Sequence, residues 1–312
     1  MASAELPQEA RPVNRAVTVL LLLLIAQCVV TAAVFWPSAA TEQGTGDRLP
    51  LAPFDPLSIR YISIGDGFDN RAELARVGDV WLLPELDSLP ADQNQVERLL
   101  AALFAEEQLW PVANSDTARQ RFQVADYLFQ RRIDLRDERA ALGSFFLGTS
   151  PGFRRVHARN REQAGIYSIR FNVFDAPTVD AQWLDPNLLQ IRAPVLIAAD
   201  VYSLYLQDGE WLADSGTQPD QAELDRLLVS LRTLQIEGVA TEDAQRQLAT
   251  AESDALLEVT SLAGEVVLEL YELEGRYYVY SSEYPLFFRI EEDLYRRLTD
   301  IDPQRIAPPI SP

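Results

Sequence analysis

The segment spanning residues 148–161 carries the side chains best suited to bind an anion. It reads Gly-Thr-Ser-Pro-Gly-Phe-Arg-Arg-Val-His-Ala-Arg-Asn-Arg, so the basic side chains directly follow a glycine- and proline-rich turn. A guanidinium group can donate two parallel hydrogen bonds to a phosphate or a carboxylate. The segment therefore predicts an anion-binding or partner-docking patch formed by Arg154, Arg155, His157, Arg159 and Arg161.

A strand would place part of this set on one face. If residues 153–159 are extended, Arg155, His157 and Arg159 project from the same side, because successive side chains of a strand alternate. The alternative is that these arginines pair with the chain's own carboxylates, since aspartate and glutamate together number 47. His157 is the one histidine of the chain. Its position among arginines predicts a lowered pKa and a neutral ring.

The residue inventory argues against most catalytic chemistry. One histidine and one cysteine, Cys28 in an apolar run, exclude ordinary zinc, haem and iron–sulfur ligation. A phosphate-binding Gly-x-x-x-x-Gly-Lys loop needs a lysine, and the sequence has none. Hydrolysis by paired carboxylates stays open, because so many acidic residues make any one pair uninformative. We expect a non-enzymatic protein with no cofactor and no metal.

The overall charge restricts the partners. The formal net charge is −20, and all 27 basic residues are arginine. Such a surface repels nucleic acid at long range, so we expect no nucleic-acid partner.

An N-terminal run of residues predicts a membrane helix. Residues 16–36 contain no charge and include the block Leu-Leu-Leu-Leu-Leu-Ile, and about 20 apolar residues are enough to cross a bilayer. Arg11 and Arg15 precede the run, which favours a cytoplasmic N-terminus. The prediction is a single-pass inner-membrane protein with a cytoplasmic tail (1–15), a membrane helix (16–36), a tether (37–53) and an extracytoplasmic bulk. Cleavage as a signal peptide is the alternative, because several small residues follow the run.

The remainder of the chain repeats itself. Trp81-Leu82 recurs as Trp211-Leu212, each beside a Gly-Asp or Asp-Gly turn, and residues 92–100 recur as residues 220–228 in the pattern Asp-Gln-x-x-apolar-acid-Arg-Leu-Leu. Residues 112–120 and 239–247 also match, in the same order. Two copies indicate a duplicated domain, since a solenoid needs at least three repeats. We place repeat 1 at residues 54–192 and repeat 2 at residues 193–312.

Each repeat has the pattern of an antiparallel β-meander with a packed helix, an α+β fold. Asp92 and Asp220 are the predicted N-caps of the two helices, which have apolar stripes. A final helix is predicted over residues 291–298. Predicted strands cover residues 57–64, 131–135, 142–147 and 166–171 in repeat 1, and residues 201–206, 256–259, 265–270 and 277–281 in repeat 2.

The two repeats differ in charge. Residues 119–170 carry eleven arginines against five acidic residues, whereas residues 246–281 of repeat 2 carry two arginines against seven. Matching the strands of residues 166–171 and 277–281 makes residues 148–161 a basic insert that repeat 2 lacks. The insert is the feature that distinguishes the first repeat.

The order of several motifs resembles the bacterial domain-of-unknown-function family 4340. These motifs are the apolar run, Trp-Leu-Leu-Pro-Glu-Leu at residues 81–86, Trp-Pro-Val-Ala at residues 110–113 and above all Gly-Thr-Ser-Pro-Gly-Phe at residues 148–153. The resemblance implies an accessory subunit of an envelope ABC export system, partnered by an ABC permease and an extracytoplasmic subunit of the gliding-motility type. The alternative function is an extracytoplasmic module that captures an anionic envelope ligand through its basic insert.

Overall fold

The computed structural model describes residues 50–105 and 110–309, together with residues 19, 20, 22–27 and 30. The residues before Pro50 belong to one compact unit and those from Pro50 onward to another. In the first unit the described residues are helical and their side chains are exposed. Among all described residues, no helix is both long enough and apolar enough to span a bilayer. The predicted tail, the tether up to residue 49 and most of the predicted membrane helix lie outside the described residues.

The first half of the second unit forms an eight-stranded antiparallel sheet and a separate hairpin, β5–β6. The sheet has the strand order β10-β9-β8-β7-β1-β2-β3-β4. The strands are β1 (Tyr61–Gly65), β2 (Arg71–Val77), β3 (Val80–Leu83), β4 (Leu89–Pro90), β5 (Val124–Ala125), β6 (Leu128–Phe129), β7 (Arg131–Arg136), β8 (Ala141–Leu147), β9 (Val156–Asn160) and β10 (Tyr167–Ile169).

The second half forms another eight-stranded antiparallel sheet. Its order is β13-β12-β11-β15-β16-β17-β18-β14. Its strands are β11 (Pro194–Ala199), β12 (Tyr202–Gln207), β13 (Glu210–Ala213), β14 (Ile236–Val239), β15 (Ala255–Ser261), β16 (Gly264–Leu273), β17 (Arg276–Ser281) and β18 (Leu286–Ile290).

The two sheets share one strand order over seven positions. Counted across the sheets from β10 and from β18, the strands correspond one to one as far as β3 and β13. The outermost strand differs, because β4 extends the first sheet beyond β3 whereas β14 extends the second sheet beyond β18. The predicted α+β class with antiparallel sheets is confirmed, and the common order supports the duplication read from the sequence.

Helices α1 (Gln93–Leu103) and α3 (Gln221–Arg232) occupy corresponding places in the two halves and begin as predicted. The carboxylates of Asp92 and Asp220 each accept two backbone N–H groups of the first turn, which satisfies donors that have no partner inside the helix. Shorter helices follow each of them, and the chain closes on two more. They are α2 (Asp116–Arg121), α4 (Glu242–Leu248), α5 (Glu292–Thr299) and α6 (Pro303–Ile306).

One hydrophobic core joins the two sheets. The largest buried cluster contains Leu74 and Leu99 of the first half together with Leu227 and Leu268 of the second. Trp183, in the connection between the halves, is fully buried, and its Nε1 donates to the Pro177 carbonyl oxygen at 2.9 Å. Two smaller clusters lie outside the main core, where α2 and α4 cover the sheets.

The structure corrects two sequence-based boundaries. The strand predicted from residue 57 starts at Tyr61, because Pro56–Ser58 forms a 3-10 turn capped by the Asp55 side chain. The predicted insert of residues 148–161 is too long. In sheet order β9 corresponds to β17 and β10 to β18, so the extra chain is the loop of residues 148–155, against two residues between β16 and β17.

Candidate functional site

The loop between β8 and β9 is held by its own glycine, threonine and serine. A Cβ atom on Gly148 would lie 2.0 Å from the Phe122 carbonyl oxygen, so only glycine fits this approach. The Thr149 N–H donates to the same oxygen at 2.9 Å. The single hydroxyl hydrogen of Ser150 is shared between the carbonyl oxygens of Gly152 and Arg155, which lie 2.6 and 2.7 Å from Oγ, and this closes the turn. The motif that carries the family resemblance is therefore a rigid loop.

This loop presents Phe153 and Arg154 at its tip. The Phe153 ring is 88% exposed, and the Arg154 guanidinium carbon lies 5.1 Å from its centroid. Arg154 has a φ of 52°, in the left-handed region that non-glycine residues rarely adopt.

His157 is a structural residue of the sheet. Its ring stacks on Phe122, with centroids 4.1 Å apart, and its Nδ1 lies 2.8 Å from the Thr149 carbonyl oxygen. That oxygen can only accept, so Nδ1 carries the hydrogen and donates. Burial lowers the pKa of His157 below its ordinary value, and the hydrogen bond to Thr149 opposes this only in part. The lowered pKa favours the neutral ring, as the sequence predicts, but its cause is burial and not the neighbouring arginines.

Arg159 is also part of the interior. Its side chain is 1% exposed and lies over the Phe146 ring, with the guanidinium carbon 4.8 Å from the centroid. It donates to the Val124 carbonyl oxygen at 2.7 Å and to Asp126 Oδ2 at 2.9 Å. Arg161 is half-exposed and contacts the other oxygen of Asp126 at 3.1 Å. These two arginines share the carboxylate of Asp126, so the charges of both are paired within the chain.

The structure thus separates the five residues of the predicted patch. The side of β9 that carries His157 and Arg159 is covered by α2 and the β5–β6 hairpin. Arg154 and Arg155 instead line a cavity of about 950 Å³. Arg155 is held in place there, because its Nε donates to Ser168 Oγ at 2.8 Å and its Nη2 to the Ser168 carbonyl oxygen at 2.5 Å.

Two further arginines complete this cavity, and sequence reasoning did not select them. Arg98 comes from α1 and Arg170 from the residue after β10. Among the described residues, no carboxylate lies within ion-pair distance of Arg98, Arg154 or Arg170. The cavity also has an apolar wall, to which Ala101, Ala102, Ala105, Phe153 and Phe171 contribute. We call this feature, bounded by α1, the 148–155 loop and the end of β10, the arginine cavity.

The arrangement can bind an anion. Exposed guanidinium groups beside an apolar wall suit a ligand with both acidic and apolar parts. Of the lining residues that the structure describes, Asp175 is the acidic one. Within the described part of the chain, no three His, Cys, Asp or Glu side chains are grouped so as to hold a metal ion.

Comparison with known protein families shows to which family the chain belongs. The sequence profile described as "Domain of unknown function (DUF4340)" matches residues 81–254, which is more than half of the chain. The chain belongs to the DUF4340 family. No curated protein and no solved structure matched it. Every residue that lines the arginine cavity lies inside the part of the chain that matches the DUF4340 profile.

The buried His157 of this DUF4340 protein predicts a pH dependence of stability. Because the folded-state pKa is depressed, the unfolded chain binds more protons than the native one between that pKa and the unfolded value of about 6.5. The neutral ring contributes fully to the free energy of unfolding above pH ~6.5. As the pH falls below this value, the free energy of unfolding decreases by at most about 1.4 kcal/mol per pH unit.

The measurement is urea unfolding at pH 7.5 and at pH 5.5, for the natural chain and for His157→Gln. The variant lacks the titrating ring, so we expect its stability to fall less between the two pH values. Equal falls in both proteins would show that the ring is not held neutral.

Proposed function

We propose that the chain is a membrane-anchored, non-enzymatic, extracytoplasmic accessory subunit of an ABC-type transport system of the gliding-motility kind. Its partners would be an ABC permease and the extracytoplasmic subunit of that system. The role is what the resemblance of the motifs implies, and the description of the DUF4340 family itself names no function. The apolar run of residues 16–36 would hold the protein in the inner membrane, with two repeats of the α+β unit outside the cytoplasm.

The observation that carries the anchor is the exposure of apolar side chains in that run. Its described residues are helical, and the side chains of Leu20, Leu22 and Leu24 are each about 60–70% exposed. Exposed apolar side chains of this kind are typical of a helix that contacts lipid or another protein. Arg11 and Arg15 precede the run and favour a cytoplasmic N-terminus.

The test combines membrane fractionation with co-purification of the full-length chain in a mild detergent. We expect the chain to resist alkaline extraction from membranes and to retain a permease. In the variant Leu22→Arg/Leu24→Arg each arginine at the helix centre costs about 2.5–3.5 kcal/mol on insertion. That variant should be extracted and should lose the permease.

Two results would argue against the proposal. If the natural chain is extracted as easily as the variant, residues 16–36 are not an anchor. If it stays in the membrane but brings no transporter subunit, the accessory role is wrong and only the anchor stands.

A second candidate function is capture of an anionic ligand by the extracytoplasmic part. The specific observation in its favour is the arginine cavity, where Arg98, Arg154 and Arg170 lack carboxylate partners among the described residues. This is unusual in a chain of net charge −20, in which acidic residues greatly outnumber arginines. Arg155 would orient the ligand from its fixed position beside Ser168. The two functions are compatible, because an accessory subunit can bind its cargo or its partner at such a site.

A further inference from the structure

The second half of the chain covers α3 with its own helix α5. This helix follows β18 and packs against α3. Its apolar side chains Leu294, Tyr295 and Leu298 are buried in the main core. The centroid of the Tyr295 ring lies 4.6 Å from that of Tyr277, near the start of β17. In the second half, α5 therefore packs between α3 and the sheet.

The first half leaves the corresponding place open. Counted from Ile169 and Ile290, the last residues of β10 and β18, the segment that matches α5 contains a 3-10 turn, Val173–Asp175. Phe174 of this turn is 76% exposed, whereas its counterpart Tyr295 is buried. The arginine cavity is lined by α1 and by the residues after β10. It therefore lies between two elements whose counterparts pack together in the second half.

The charges at the two places also differ, first on the helix. Arg226 of α3 is the counterpart of Arg98, and its guanidinium group lies 3.0 Å from the Glu223 carboxylate. The residue that corresponds to Glu223 is Gln95, which carries no charge and donates to the Asp175 carbonyl oxygen at 3.4 Å. Arg98 therefore lacks the acidic neighbour that its counterpart contacts, one turn of helix away.

Two further differences bring positive charge to the same cavity. The residue after the last strand is Arg170 in the first half and Glu291 in the second. The 148–155 loop, which carries Arg154, stands where two residues connect β16 and β17 in the second half. A freed arginine, a reversed charge and a longer loop thus meet at one place. In a chain of net charge −20, this concentration of positive charge indicates a negatively charged ligand.

The number of arginines favours a phosphate group over a single carboxylate. Four arginines line the cavity, against one acidic residue, Asp175, among the described lining residues. A carboxylate carries one negative charge, whereas a phosphate monoester carries about 1.5–2 at pH 7 and has three strong acceptor oxygens. Arg98, Arg154 and Arg170 come from three different elements, so each can donate to a different oxygen. A phosphate monoester therefore matches both the charge and the donors of the cavity.

The size and the wall of the cavity predict an apolar part in the same ligand. Its volume of about 950 Å³ lies near the upper end of the ~300–1,000 Å³ range of small-molecule sites, and a phosphate group alone fills only a small part of it. Phe153 and Phe171 contribute aromatic rings to the wall, and Ala101 and Ala102 contribute small apolar side chains of α1. Burial of an apolar chain on this wall tightens binding by up to about fourfold per methylene group.

We propose that the arginine cavity binds a phosphorylated amphiphile, which is a molecule with a phosphate monoester at one end of an apolar chain. The phosphate lies among Arg98, Arg154 and Arg170, and the apolar chain lies on Phe153 and the alanines of α1. The inference rests on the proposed capture of an anionic ligand and names the class of that ligand. The same chemistry is offered by a lipid of the bilayer and by a soluble molecule.

The experiment measures binding by calorimetry to the full-length chain in phosphatidylcholine nanodiscs, with empty nanodiscs as the blank. The probes are hexyl phosphate, inorganic phosphate and 1-hexanol. We expect hexyl phosphate to bind at least tenfold more tightly than either of the other two, because it alone uses both the arginines and the wall. In the variant Arg98→Ala/Arg154→Ala/Arg170→Ala, its binding should weaken at least tenfold.

The matched control is Arg276→Ala. Arg276 precedes Tyr277 as Arg155 precedes Val156, so it is an exposed arginine at the corresponding place of the second half. Its removal should leave the binding of hexyl phosphate unchanged. Nanodiscs that also contain phosphatidic acid distinguish the sources. Competition by this lipid supports a bilayer ligand, and equal binding of hexyl phosphate in both kinds of disc supports a soluble one.

Three results would overturn the inference. If hexyl phosphate and inorganic phosphate bind equally well and both need the three arginines, the apolar part is wrong and the capture of an anion stands. If neither binds, both proposals fail. If 1-hexanol binds as tightly as hexyl phosphate, the arginines do not hold the ligand and both proposals fail as well.

The apolar wall has a separate test in Phe153→Ser. The Phe153 ring is 88% exposed, so its removal should not alter the fold. We expect at least threefold weaker binding of hexyl phosphate and unchanged binding of inorganic phosphate. Phe68→Ser is the control, because Phe68 is 86% exposed on the turn between β1 and β2 and does not line the cavity. Equal effects of the two substitutions would contradict the role of Phe153.

Discussion

The variant Gly148→Ala is expected to lose about 2–3 kcal/mol of folding stability. The added Cβ would lie 2.0 Å from the Phe122 carbonyl oxygen and 2.4 Å from the Gln123 carbonyl oxygen. Both are backbone atoms, so no side chain can rotate to make room. The chain must instead move the loop away from α2, which breaks the hydrogen bond between the Thr149 N–H and Phe122. Thermal unfolding should detect a fall in Tm of roughly 5–10 °C.

The same loop offers a control for this result. A Cβ on Gly152 meets no atom within 4 Å, and Gly152 does not have a positive φ. Gly152→Ala should therefore change the stability by no more than about 1 kcal/mol, and the sign can be stabilising because alanine restricts the unfolded chain. If the two variants lose the same stability, the close approach at Gly148 is not what fixes the loop.

The loop prediction has a functional consequence. Gly148 and Thr149 fix the base of the loop, and Arg154 stands at its tip above the arginine cavity. A displaced loop moves Arg154 relative to Arg98, which α1 holds independently. We therefore expect Gly148→Ala to weaken ligand binding even at temperatures where the protein remains folded.

Local signals in the sequence were sufficient for part of the fold. Asp92 and Asp220 were predicted as N-caps, and each accepts the two N–H groups expected of that role. A short polar side chain before an apolar helix is a signal that needs no tertiary context. The predicted start of β1 is wrong, because Pro56 begins a 3-10 turn that the local apolar alternation does not reveal.

The candidate site was harder to predict, because long-range packing decides it. Residues 155, 157 and 159 are spaced so that their side chains lie on one side of an extended segment. However, the hairpin β5–β6 and α2 cover this side along β9. No property of the segment itself indicates that a region some 30 residues earlier covers it. Arginine spacing alone therefore could not separate the exposed Arg154 from the buried Arg159.

Comparison of the two repeats could have indicated from the sequence that Arg98 is unpaired among the described residues. The aligned helices share the Arg at positions 98 and 226, but Glu223 of the second copy is replaced by Gln95 in the first. Comparison of the two copies, position by position, shows which arginine lost its acidic neighbour. For Arg170 the sequence matching failed, because it paired residues 166–171 with β17 when their counterpart is β18.

The largest loss from a single arginine is expected at Arg159. Arg159→Ala removes three donated hydrogen bonds, to the Val124 and Arg161 carbonyl oxygens and to Asp126. It also leaves an empty space over the Phe146 ring, where the guanidinium group lies in the natural protein. Truncating one member of a buried pair costs about 3–5 kcal/mol. The carboxylate of Asp126 is half-exposed and regains water, so we expect a smaller loss of about 2–4 kcal/mol. Urea unfolding at neutral pH gives the value.

Arg161→Ala is the matched control, since Arg161 contacts the same carboxylate from a half-exposed position. An exposed pair of this kind contributes about 0–1 kcal/mol. Neither residue lines the arginine cavity, so neither variant should alter the binding of an anionic ligand while the chain remains folded. If Arg159→Ala is as stable as Arg161→Ala and abolishes ligand binding, Arg159 belongs to the binding surface and its assignment to the interior is wrong. Loss of stability at Arg159 alone, with binding retained in both variants, separates the arginines that build this fold from those that are free to hold a ligand.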